Sequence, residues 1–96
     1  MMNKYEIMFI VKPDMEEAEI NKTAETMKKV LTDNKANIVE EKKMGQRELA
    51  YGINKYKTGY YFLFIVEAEP VAISEFDRNV GINESLLRHL IVKVED

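Results

Sequence analysis

Two segments, YEIMFIV at residues 5–11 and GYYFLFIV at 59–66, are apolar on both sides of an extended chain. In the first, Tyr5, Ile7, Phe9 and Val11 point one way, and Glu6, Met8 and Ile10 the other. In the second, Tyr60, Phe62, Phe64 and Val66 alternate with Tyr61, Leu63, Ile65 and Glu67. A strand that is apolar on both faces belongs inside a sheet rather than at its edge. The chain must therefore supply flanking strands and a cover for at least one face.

The remaining segments fit those roles. After Pro13, Asp14 with Glu17 three residues on has the form of a capping box, and Ile20, Ala24, Met27 and Leu31 recur at helical spacing. Asp33, Asn34 and Asn37 end this helix. Asn37 to Tyr51 is polar and extended, with charges that suit an edge strand, and Gly45 marks a bulge or bend. Gly52 to Thr58 reads as a hairpin turn, with Gly52 and Gly59 giving its backbone freedom. Ile73, Phe76 and Val80 line a short second helix after Pro70, with Gly81 just past its end. A loop, INESLLRH, leads to a last strand over Leu90–Val94 with Leu90, Val92 and Val94 on one side.

The order strand, helix, strand, strand, helix, strand predicts an α+β fold. It is a ferredoxin-like βαββαβ sandwich, a four-stranded antiparallel sheet with two helices on one face. The expected core joins Tyr5, Ile7, Phe9, Phe62, Phe64, Val66, Leu90, Val92 and Val94 to Ile20, Met27, Leu31 and Phe76. That leaves Met8, Ile10, Tyr61, Leu63, Ile65 and Ile91 together on the uncovered face. An apolar patch of that kind marks a protein partner. The 96 residues form one domain, 1–96, large enough for one core.

Composition narrows the chemistry. There is no cysteine, which fits a reducing cytoplasm and removes disulfide and thiol chemistry. The longest apolar run near the start, Ile7 to Val11, is too short for a signal peptide or a bilayer span. His89 is the single histidine, and no serine or threonine has a base in pattern. No metal spacing and no Gly-rich phosphate loop is present, since the first strand runs into Lys12, Pro13 and Asp14. The same segment lacks the arginine and glycines of an acylphosphatase-like loop, and it weakens a ligand-sensing reading of the fold. No catalysis, metal or cofactor is expected.

Charge is unevenly spread. The net charge is −3, yet Lys42 to Lys57 holds five basic residues and one acid, a window of +4 in a remainder of −7. One end of the molecule therefore suits a polyanion. The run TGYYFLFI partly matches the third-strand pattern of RNA-recognition modules at Gly59, Tyr60, Phe62 and Leu63. Tyr60 and Phe62 fall on the core side, which argues against base stacking by those two rings.

The segment GQRELAYGINKYKTGYY, with YEIMFIVKPD before it and LLRHLIVKVE after it, resembles the bacterial small-subunit ribosomal protein six family. The shared positions are Tyr5, Glu6, Gly45, Arg47, Leu49, Ala50, Tyr51, Ile53, Lys55, Gly59, Tyr60, Tyr61 and Arg88. The resemblance covers nearly the whole chain. It implies a structural protein of the cytoplasmic ribosome without catalytic activity. It further implies binding to the central domain of 16S rRNA together with small-subunit ribosomal protein eighteen. Lys4, Arg47, Lys55, Lys57, Arg88 and Lys93 are then the candidates for phosphate contact, with His89 adding a hydrogen bond. Tyr56 and Tyr61 are the rings expected to be free for partners.

Overall fold

A computed structural model describes residues 2–53 and 55–94, with the backbone alone at 50, 51 and 53. The elements are β1 (Asn3–Val11), α1 (Glu17–Asp33), β2 (Asn37–Ile53), β3 (Tyr56–Ala68), α2 (Pro70–Ile82) and β4 (Leu86–Val94). The strands form one antiparallel sheet in the order β2-β3-β1-β4. The two segments that are apolar on both sides are the central strands, and the ferredoxin-like architecture is as expected.

The β1–β3 register places Phe9 opposite Phe62 and Ile7 opposite Phe64. Phe9 stacks on Phe62 with centroids 5.2 Å apart and meets Phe64 edge-on at the same separation. Ile20, Ala24, Met27 and Leu31 of α1 and Ala72, Phe76 and Val80 of α2 close over these rings. Lys28 of α1 reaches Glu41 of β2 at 2.7 Å, which raises the Lys28 pKa and ties the helix to the edge strand.

Several local expectations give way to tertiary geometry. No side chain caps α1; Glu16 holds the cap position, and Asp14 is engaged elsewhere. Lys35, at φ 67°, ends α1 in a left-handed turn, with the Lys35 and Ala36 N–H groups donating to Thr32 and Leu31 carbonyls. Gly81 lies inside α2, which continues to Ile82. The hairpin is longer and tighter than expected, with β2 running to Ile53, β3 beginning at Tyr56 and Lys55 in the turn at φ 72°. Gly45 does mark a bulge, at φ 80° beside a register shift in β2.

The main correction concerns β4. It starts at Leu86, four residues earlier than expected, and its faces are reversed. Ile91 lies opposite Ile7 and His89 opposite Phe9, on the helix side. Leu90 and Val92 lie opposite Met8 and Glu6 on the uncovered side, 53% and 46% exposed. Pairing with β1 decides this, and the reversal is tolerated because β4 is an edge. The helices cover it only in part, so His89 sits at the rim and bonds Asp77 of α2 at 2.7 Å.

Gly59 also plays a different part from the one expected. Its φ is not positive, and a Cβ there would overlap the Ile10 Cγ2 methyl. The glycine lets Ile10 lie flat across β3, which is why Ile10 is 3% exposed on a face the helices leave open. Gly59→Ala should therefore lower stability by about 1–3 kcal/mol through overpacking. Gly81→Ala, in a helix with nothing within 4 Å of the new methyl, should raise it by about 0.5–1 kcal/mol. Urea unfolding of the two variants checks the opposite signs.

Candidate functional site

Residues directly opposite in a sheet share a face, so the register lays out the uncovered side row by row. Met8 lies between Leu63 and Leu90, Glu6 between Ile65 and Val92, and Lys4 between Glu67 and Val94. Towards the hairpin, Ile10 lies between Tyr61 and Arg88. β2 extends the rows with Glu40 beside Ile65, Lys42 beside Leu63, Gly45 beside Tyr61 and Arg47 beside Gly59.

Met8, Met44, Leu63, Leu90 and Val92 line a groove of about 210 Å³ with Glu6 at its edge. Of the residues expected to meet a protein partner, Met8, Tyr61, Leu63 and Ile65 are half-buried on this face. Ile10 is on the face but covered, and Ile91 packs against the core on the other side. Leu90 and Val92 take their place. The side-chain alternation in β4 was visible in the sequence, but which half faced outward required the β1 pairing.

The basic candidates do not form one patch. Arg47, Lys55 and Lys57 are exposed on the hairpin, where Tyr56–Gly59 of β3 pair with β2 alone and project beyond β1. This arm helps make the molecule 40 Å long against 25 and 21 Å in the other directions. Arg47 Nε donates to the Met44 carbonyl at 3.3 Å. Arg88 lies at the same end of the uncovered face, across from Ile10. Lys4 is at the far end, beside Glu67. His89 and Lys93 lie on the helix side, opposite Phe9 and Tyr5; that placement separates them from the other cations.

Tyr56, expected to be free, is tied down. Its hydroxyl donates to the Asp14 carboxylate at 2.8 Å, anchoring the arm to the turn before α1. Among the described residues no group of three histidines or carboxylates is placed to hold a metal, and no helix is long and apolar enough to cross a membrane.

This sheet, with a projecting β2–β3 arm and one open face, matches known proteins. A model of the ribosomal protein S6 family aligns with residues 4–93. The chain belongs to the ribosomal protein S6 family. It is also similar to the crystal structure of 30S ribosomal protein S6 from Thermotoga maritima, at 25% identity and a TM-score of 0.94, over 98% of this chain and 89% of that one. The chain is thus a small-subunit ribosomal protein, from a family of structural components rather than enzymes.

The Asp14 tie has a titration consequence. The hydrogen bond to Asp14, with smaller contributions from burial and the carboxylate charge, holds the Tyr56 hydroxyl above the usual tyrosine range. The neutral hydroxyl is the donor, so the tie is intact below the ordinary tyrosine pKa and is lost as pH rises through the raised one. Asp14→Ala should bring the Tyr56 titration down towards the ordinary value. Ultraviolet titration of the phenolate, with Tyr56→Phe to assign the band, measures it.

Proposed function

We propose that the chain binds the central domain of 16S rRNA as a heterodimer with small-subunit ribosomal protein eighteen, and acts in the cytoplasmic ribosome as one domain. The observation that carries this is the uncovered sheet face, where an apolar groove adjoins a basic arm. The groove, with Leu63 and Leu90 facing each other across Met8, offers apolar area that a protein partner removes from water. The arm offers Arg47, Lys55 and Lys57, and Arg88 stands near its base. Contacts of this kind hold phosphates and orient a protein without reading sequence.

An acidic protein, at net −3, gains little from long-range attraction to RNA. Few phosphate contacts mean a shallow salt slope and weak binding for the isolated chain, with the partner supplying the remainder.

The test is reconstitution with ribosomal protein eighteen and a central-domain RNA fragment, read by footprinting and by co-sedimentation with small subunits. The double variant Leu63→Glu, Ile65→Lys should fold, because both side chains lie away from the helices, and should lose heterodimer formation at least tenfold. Retained heterodimer formation places the protein contact elsewhere. A steep salt slope for the isolated chain would mean autonomous RNA recognition instead.

A further inference from the structure

The uncovered face is divided by charge. At the end away from the hairpin, its strand positions carry Glu6, Glu40 and Glu67 against Lys4 and Lys42. At the hairpin end they carry Arg47, paired with Gly59, and Arg88, paired with Ile10. Lys57, two residues before Gly59 on the same strand, extends this side. Among the described strand residues the nearest carboxylate is Glu48, which is paired with Thr58 on the helix side and lines a surface hollow together with Lys57. A polyanion laid on this face meets mixed charge in the first half and cations in the second.

Tyr61 stands at the boundary between the halves. Among the described side chains it is the one aromatic ring on the face. Tyr60, Phe62 and Phe64 belong to the helix side, and Tyr56 is bonded to Asp14. Two of its four neighbours on the face are glycines; the others are Ile10, across from it on β1, and Leu63, two residues on along β3. Gly45 lies directly across from it, at φ 80°, and a Cβ there would meet nothing within 4 Å. Gly59, two residues earlier, is buried, with the Ile10 methyl where its Cβ would be. Tyr61 is thus a half-buried ring between Ile10 on β1 and a glycine on β2 that has open space beside it, with Arg47 two residues beyond that glycine.

We propose that Tyr61 is a stacking platform for an unpaired RNA nucleotide whose phosphates are held by Arg47 and Lys57. Aromatic rings take unstacked bases on their faces while neighbouring cations track the backbone. The ring needs one clear flank for this, and Gly45 provides it. The proposal rests on the RNA-binding reading above, and it takes Tyr61 out of the protein contact formed by Met8, Leu63, Leu90 and Val92.

The experiment uses the heterodimer with ribosomal protein eighteen and the 16S central-domain fragment, titrated at several salt concentrations. Tyr61→Leu should weaken RNA binding about tenfold or more, as expected for one lost base–aromatic stack. It should leave the salt slope and the heterodimer affinity unchanged. Tyr61→Phe should bind as the natural chain does, whereas Arg47→Gln should reduce the salt slope by about one. Tyr61→Trp adds an indole to a chain that has none, and its emission should be quenched by the RNA. RNA binding by Tyr61→Leu equal to that of the natural chain overturns the proposal, as does a loss traced to weaker heterodimer formation. Failure of the unaltered heterodimer to bind the fragment removes the RNA-binding reading itself, a result distinguishable from either.

Discussion

The contact on which the other elements depend is the pairing of β1 with β3 through Phe9, Phe62 and Phe64. Three rings from adjacent strands meet at 5.2 Å centroid spacings, and each is almost fully removed from water. Burying a side chain of this size contributes roughly 1.5–3 kcal/mol, so the cluster outweighs any exposed ion pair, worth about 0–1 kcal/mol. It also sets register. A one-residue slip would exchange Ile7, Phe9 and Val11 for Met8 and Ile10 beneath the helices. Both helices can be positioned only after this pairing exists, because their buried stripes have no other apolar surface to meet.

The central strands, both helices and their order were legible because each carries a periodic signal that local propensity and tertiary packing share. The errors fall where packing was one-sided. β4 offers Leu90, Val92 and Val94 on one side and His89, Ile91 and Lys93 on the other, and counting apolar residues picks the wrong side. At an edge, the helix-facing positions need not be uniformly apolar, so the rule that serves Phe9 fails for His89. Asp14 failed as a cap for a similar reason, since a partner 42 residues away, Tyr56, uses the same carboxylate. No periodicity within a segment encodes either outcome.

The candidate surface shows the same division. Met8, Leu63 and Ile65 could be placed from alternation in central strands. Leu90 and Val92 could not, and Ile10 was legible as to face but not as to exposure. Its burial depends on Gly59, which in sequence looks like a hairpin glycine and in space is a seat for a methyl group. A glycine that opens a strand therefore has two readings, freedom for its own backbone or room for a neighbour, and only the cross-strand partner tells them apart.

The acids and bases of this chain are separated by a layer of structure as well as by sequence. The acidic residues from Glu16 to Glu25 lie in α1 and at its cap, on the far side of the sheet from Arg47 and Arg88, while Asp14 is bonded to Tyr56 of the arm. The sheet stands between the two sets of charges, and the Debye length at physiological ionic strength is about 8 Å. The helix charges are thus largely screened at the uncovered face, and what a polyanion experiences there is local: cations at the hairpin end and mixed charge at the other. Approach from the helix side meets the acids first. On the proposed reading a polyanion meets the hairpin end of the uncovered face, although the chain as a whole is negative. Orientation comes from where the charges are mounted, and the β1–β3 pairing is what mounts them.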